Sequence, residues 1–150
     1  MAKTFAVVGK PQPKGSTRAF VVGWKPGQKA RPQTVTTSDN PKLKAWEKSI
    51  KVVATDVFMG EPIEGAVQVR MVFNLLRPAS VSPLDRPHPT VAPDTDKLAR
   101  AVLDALTGIA YDDDAQVVAV SSRKRYVTSA AEGVVIECGP YPLAVNNPQE

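Results

Sequence analysis

The sequence predicts an α+β fold, in which a single small domain holds a mixed β-sheet with two main helices packed on it. A chain of 150 residues suits one domain with its own hydrophobic core. Apolar and polar residues alternate over 66–76, as they do in a half-buried strand, whereas apolar residues repeat at helical spacing over 41–60 and 95–107. The domain is predicted to span 1–139, and 140–150 is predicted to be a frayed tail.

The first third of the chain predicts three short strands, at 4–9, 19–25 and 34–37. The loop between the first two, at 10–18, combines prolines and glycine with basic residues and is expected to be exposed. Its cations are either phosphate contacts or ordinary solvated side chains, and the sequence leaves both open.

The predicted helix at 41–60 begins at Pro41, since proline is favoured at the first helical position. Trp46 falls on its apolar stripe and is therefore expected to be a packing residue rather than a platform for stacked bases. The Pro-rich segment 77–93 has no periodicity and is predicted to be a long mobile loop, placed as a flap over a ligand.

The second helix, 95–107, is expected to start at Asp94 as N-cap and to stop at Gly108. A strand at 115–127 follows, and 133–138 is predicted to return beside it as a hairpin. Cys138 is the only cysteine, so no disulfide forms within the chain, and it is expected to be buried in this last strand.

Acidic residues are concentrated between 94 and 114. This segment holds six acidic and two basic residues, a net charge of −4, while the rest of the chain carries +8. Gathered carboxylates repel one another, and a hard divalent cation such as Mg²⁺ offsets that repulsion because it prefers oxygen ligands. The sequence therefore predicts a metal site where the start of the second helix meets the start of the following strand. The plainer interpretation is that Asp94 caps a helix, Asp96 and Asp104 form a solvated face, and 112–114 is a turn.

The string PDTDKLARAVLDALTGIAYDDDAQVV, residues 93–118, resembles the central motif of the RusA-type Holliday junction resolvases. The resemblance implies a RusA-like fold and a Mg²⁺-dependent endonuclease, with Mn²⁺ as a possible substitute, that acts as a homodimer on four-way and other branched DNA. Its Asp-x-Asp pair corresponds to Asp94 and Asp96, and its later carboxylate to Asp114, with Asp113 beside it. Where the family often has a catalytic lysine, this chain has Arg100.

If the lysine of the family stabilises charge, Arg100 can replace it, because arginine keeps the positive charge. If the lysine donates a proton, Arg100 is too weak an acid to replace it, and Lys97 is the candidate substitute. Asp104 is expected to pair with Arg100 and orient it. Eight further basic residues are predicted to contact DNA, and a pI near 9.3 favours such a polyanionic partner. These predicted DNA contacts are Lys14, Arg18, Arg77, Arg86, His88, Arg123, Lys124 and Arg125.

The alternative function is a non-catalytic protein that binds branched DNA and retains the fold. An EF-hand calcium site is not indicated, because the DDD run lacks the alternating donors and central glycine of such a loop. A serine hydrolase is not indicated either, because the chain has no Gly-x-Ser-x-Gly motif. The sequence contains no apolar run of membrane-spanning length and no signal peptide, so a cytoplasmic location, in a bacterial or phage-infected cell, is expected.

Overall fold

The computed structural model describes residues 2–15, 17–22, 33–38 and 40–143. Six strands and two helices make up these parts, with short 3-10 turns at 114–116 and 129–131. In chain order the elements are β1 (Lys3–Val8), β2 (Thr17–Val22), β3 (Gln33–Ser38), α1 (Leu43–Phe58), β4 (Val67–Leu76), α2 (Thr95–Leu106), β5 (Val117–Val127) and β6 (Gly133–Pro140).

Four strands form a mixed sheet in the order β1-β6-β4-β5, and β2 pairs with β3 in a separate antiparallel ribbon. Within the sheet β6 runs antiparallel to both of its neighbours, whereas β4 and β5 are parallel and are connected through α2. The mixed sheet with two helices confirms the predicted fold class.

The alternation in β4 decides which face of the sheet is buried. Val67, Val69, Met71 and Phe73 are all buried in the core, as their spacing predicts. They pack with the apolar faces of α1 and α2, where Ile50 is completely buried. Burying a side chain of this size contributes roughly 1.5–3 kcal/mol.

The predicted hairpin between β5 and β6 is wrong. β6 lies between β1 and β4, with Ile136 opposite both Phe5 and Met71, and β5 occupies the edge of the sheet. Composition explains the difference, since the apolar run in β6 suits a central strand while the polar second half of β5 suits an edge. Gly133 permits the close pairing with β1, because a Cβ there would collide with the Val7 carbonyl.

Helix α1 begins at Leu43, two residues later than predicted, because the side chain of Asn40 accepts a hydrogen bond from the Lys42 N–H and forms a turn ahead of it. Trp46 is 4% exposed, which confirms its packing role. Met59 ends the helix in the left-handed conformation at φ 53°.

Segment 77–93 is irregular, as predicted, and side chains fasten it to the sheet at several points described below. At the other end of the chain, ordered packing continues past residue 139: Leu143 is buried and its N–H donates to the Gln68 side chain. The remainder of the predicted tail, 144–150, lies outside the described residues. Across the described ranges, neither helix is both long and apolar enough to cross a membrane.

Candidate active site

Asp94 stands at the N-cap of α2, but its carboxylate accepts no capping hydrogen bond from the helix. One oxygen instead lies 3.6 Å from the Lys97 ammonium, three residues on. Asp96 occupies the first turn and is exposed. Both acidic groups stabilise the start of the helix through its dipole, and both side chains are exposed to solvent.

An open groove of about 630 Å³ lies in front of Asp94. Its walls include three side chains that the sequence predicts as DNA contacts, namely His88, Arg123 and Lys124. Lys124 and Asp94 reach the groove from different elements, because β5 runs past the N-terminal end of α2. The groove therefore places one acidic group beside two permanent cations.

Lys124 also fixes the backbone that precedes Asp94. Its ammonium donates to the carbonyl oxygens of Val91 at 3.0 Å and Pro93 at 2.9 Å. Lys124 pairs in register with Phe73, whose side chain is buried in the core, so both side chains leave the sheet on its helix-covered face. The alternation of side chains along the strand correctly predicted that Lys124 lies on the opposite face from Arg123 and Arg125. It did not reveal that Lys124 positions the backbone before Asp94.

The other two cations of β5 leave the strand on the opposite face of the sheet, but because β5 is an edge strand, Arg123 also borders the groove at Asp94. Arg123 lines a shallow hollow there with Arg70 and Glu137, which form a 3.8 Å ion pair. Arg125 donates to the buried Asn74 side chain at 2.6 Å, so part of its hydrogen-bonding capacity is already used.

Arg77 and Arg86 gather around Tyr126. The Arg77 guanidinium lies 4.6 Å from the centre of the Tyr126 ring and also donates to the Pro87 carbonyl at 3.2 Å. Arg86 donates through Nε to the Tyr126 hydroxyl at 3.0 Å. Tyr126 thereby anchors segment 77–93 to β5, a role that the sequence alone did not indicate.

Lys14 is engaged by two carboxylates, at 2.8 Å from Asp104 and 3.6 Å from Glu47. The hydrogen bond to Asp104 raises the pKa of Lys14; burial opposes this rise, and Glu47 adds to it. The prediction that Asp104 pairs with Arg100 is therefore wrong, because the N-terminal loop brings a closer cation to it. Arg100 is exposed and has no ion-pair partner within the described parts of the chain. The side chain of Arg18 lies outside the described residues.

The aspartates at 112–114 form a turn that Gln116 holds in place. Asp113 accepts a hydrogen bond from the Ala115 N–H at 2.8 Å, so its carboxylate is partly committed to capping. The Gln116 amide oxygen accepts from the N–H groups of Asp112 and Asp113, and its nitrogen donates to the carbonyls of Ile63 and Gly65, all at 3.0 Å. An Asp followed three residues later by Gln is a capping-box signature, which is the sequence signal for this contact.

Helix α2 separates the two acidic groups that the sequence predicts to converge. Asp94 lies at its start, whereas 112–114 follows its end, and the 12 residues between those ends rise about 18 Å. The length of β5 leads to the same conclusion. Lys124 contacts the backbone beside Asp94, and the start of β5, next to Asp114, lies seven residues or about 23 Å back along the strand. Consistently, no group of three acidic, histidine or cysteine side chains among the described residues is placed to hold a metal ion. The expected convergence does not occur within one chain.

Asp94 and Asp96 are nevertheless exposed carboxylates, the ligand type that Mg²⁺ prefers. This ion is usually bound through one or two carboxylates together with substrate phosphates, rather than in a cage of protein ligands. The Asp94 carboxylate, which makes no capping bond, faces an open groove with cations suited to phosphate. Such a site fits a phosphodiester and a divalent cation side by side.

A carboxylate beside cations in an open groove, on a small α+β domain, is an arrangement suited to binding a phosphodiester backbone. The model of the family described as endodeoxyribonuclease RusA matches residues 8–138, and the chain belongs to this family of Holliday junction-resolving endonucleases. Comparison with curated proteins gives no significant match.

Proposed function

We propose that the protein is a metal-dependent endodeoxyribonuclease that resolves Holliday junctions and related branched DNA by paired phosphodiester hydrolysis, in recombination and repair. The observation that carries this proposal is the Asp94 carboxylate, which stands at a helix N-terminus without capping it and faces a groove lined by Arg123 and Lys124. Family membership supports the endonuclease activity and the junction as its substrate.

Asp94 and Asp96 are proposed to hold Mg²⁺, or Mn²⁺ in its place. The bound cation would supply an activated water and neutralise charge on the phosphate during hydrolysis. His88 and Arg123 line the same groove and are proposed to bind neighbouring phosphates, which fixes the strand without reading its sequence.

Arg100 and Lys97 are proposed to stabilise the charge on the reacting phosphate. Arg100 is exposed on α2, one turn beyond Asp96, and its guanidinium has no ion pair among the described side chains. A guanidinium binds phosphate oxygens through two parallel hydrogen bonds but does not donate a proton. Lys97, 3.6 Å from Asp94, is the nearer group able to do so.

Asp113 and Asp114 remain proposed metal ligands, and a homodimer is the arrangement in which they can serve. Because α2, about 18 Å long, lies between them and Asp94 in the same chain, they are proposed to reach Asp94 and Asp96 from a second copy. Of the two, Asp114 is the better ligand, since an oxygen of Asp113 already accepts the Ala115 N–H. A two-fold dimer would also present two equivalent sites to the symmetry-related strands of a junction.

The test incubates a synthetic four-way junction and Mg²⁺ with the parent protein and with Asp94→Asn, Asp96→Asn and Asp114→Asn. The parent is expected to give paired nicks, whereas each variant binds the junction without cutting it, because an amide replaces a charged metal ligand. Asp56→Asn is the matched control, since Asp56 is exposed on α1 and away from the groove. Equal cutting by all five proteins would remove the assignment.

A second candidate is a non-catalytic protein that binds branched DNA. The observation that favours it is Arg100, which stands where the family often has a lysine. Tight junction binding by the parent with no cleavage in either Mg²⁺ or Mn²⁺ would select this function over the first.

A further inference from the structure

We propose that a second groove, next to the one at Asp94, binds an unpaired nucleobase of the DNA substrate. The inference rests on the proposed function and adds to it a site for the base beside the phosphate that is cut. This base groove, as we call it, lies between residues 10–13 of the N-terminal loop, the end of β4 and the segment 86–93.

The base groove has the size and surface of a site for a flat organic ring. Its volume is about 640 Å³, within the range of small-molecule sites. Prolines from both loops, together with Leu75 and Tyr126, make most of its lining apolar. Leu76 and Val91, 41% and 44% exposed, are among the large apolar side chains that face solvent, and both border it. A ligand that covers them removes apolar surface from water.

Polar groups at the rim match the edge of a nucleobase. Arg86 uses its Nε for the Tyr126 hydroxyl, and among the described residues nothing accepts from its two terminal nitrogens. Glu132 lines the same groove and offers a carboxylate acceptor. Nucleobases carry carbonyl or ring-nitrogen acceptors and amino donors on their edges, so a guanidinium and a carboxylate can satisfy them.

The walls of the base groove are fixed before any ligand arrives. Arg77 packs on the Tyr126 ring at 4.6 Å and donates to the Pro87 carbonyl, which ties segment 77–93 to β5. The prolines have restricted backbone torsions. Little ordering is therefore needed on binding, and a preformed groove favours affinity.

The two grooves lie next to each other, which places the base beside the proposed reaction site. Val91 and Ala92 border both of them, and Asp94 follows two residues later. A nucleotide whose phosphate lies at Asp94 can thus direct its base over this short wall into the base groove. Unpaired bases leave the stack most easily, so a base at a branch point needs the least energy to enter the base groove.

The test places 2-aminopurine at each of the two nucleotides on either side of the cut in a four-way junction, and measures its fluorescence on binding without divalent cations. With the parent, the emission at one position is expected to rise at least about twofold, because the base leaves the DNA stack. Leu76→Trp fills the base groove and is expected to abolish that rise while junction binding is kept. Leu84→Trp is the matched control, since Leu84 is 94% exposed and does not line the groove.

Glu132→Trp, which fills the groove from its other side, provides a second test if the first variant does not fold. An unchanged rise in a folded groove-filling variant would overturn the inference, as would a parent that cuts the junction without any change in emission at the four positions. A parent that neither binds nor cuts the junction would instead contradict the proposed function.

Discussion

Gln116 shows how one amide can position a group of acidic residues. Its oxygen and nitrogen together make four hydrogen bonds, two to the N–H groups of the 112–114 turn and two to carbonyls of the segment before β4. These contacts use its full hydrogen-bonding capacity at each atom. The backbone of Asp112 and Asp113, and with it the 112–114 turn, is therefore held by a neutral residue.

Replacing Gln116 with methionine is expected to cost about 1–3 kcal/mol in the free energy of unfolding, because four backbone groups lose their partner. Junction cleavage should fall further than this loss of stability explains, since the 112–114 turn is no longer fixed. Urea denaturation and a cleavage time course, below the unfolding transition, measure the two effects. Gln68→Met is the control, since within the described ranges the Gln68 side chain makes one hydrogen bond, from the Leu143 N–H; equal effects of both substitutions would contradict the positioning role.

At the scale of the element, α2 decides how the site is assembled. Its buried face, which includes Leu98, Val102 and Leu106, packs into the core, while its N-terminus carries Asp94 and Asp96 to the surface. The N-terminal loop fastens to the same helix through the Lys14 side chain at Asp104 and the Lys14 N–H at the Lys97 carbonyl. The loop thereby borders the base groove without being part of the sheet.

A double-mutant cycle tests this attachment. Lys14→Met and Asp104→Asn are expected to couple by about 0.5–1 kcal/mol in the free energy of unfolding, since the pair is close but partly exposed. The matched cycle of Arg100→Met with Asp104→Asn should give a coupling near zero. A larger coupling for Arg100 than for Lys14 would restore the intrahelical pair that the sequence predicts. Chemical denaturation of the parent, the three single variants and the two double variants gives both coupling energies.

For the whole molecule, the core contains two ionisable groups held in their neutral forms. Burial raises the pKa of the Cys138 thiol from 9.0 to about 12, and burial is also the main cause of a raised pKa for the Tyr111 hydroxyl. Tyr111 donates its proton to the Leu103 carbonyl at 2.8 Å, which ties the segment after α2 back to the helix. Both groups therefore keep their protons in the folded state when the unfolded chain begins to lose them.

The stabilisation that these two neutral groups contribute is expected to be fully present below pH 9. It is expected to be lost as the pH rises toward 12. The sign follows because the unfolded state binds fewer protons than the folded state in this range. The pKa shift of Cys138 alone corresponds to an upper limit of about 4 kcal/mol in the free energy of unfolding. Thermal melts from pH 7 to 11 measure the decline, and Cys138→Ala should flatten its lower part. A melting temperature that stays constant to pH 11 would contradict the neutral core.

The local pattern of apolar residues predicted α1, β4, α2 and β5 closely, because helix and strand periodicity is written in neighbouring residues. Trp46 and Cys138 were predicted to be buried for the same reason. The position of β6 was not predictable in this way, since its apolar residues suit either neighbour and only the packing of β1 against it decides between them.

The acidic residues of the candidate site are recognisable in the chain, and so is the family to which the motif belongs. The spatial arrangement of these residues cannot be recognised from the sequence. Close spacing in sequence suggested that Asp94 and Asp114 meet, but the intervening helix is rigid and extends about 18 Å, so it holds them apart. In the same way, Asp104 pairs with Lys14, 90 positions away in the sequence, rather than with Arg100 one turn away, because folding delivers a loop that local spacing does not describe. Sequence thus determined which groups are present, while tertiary structure decided which of them are neighbours.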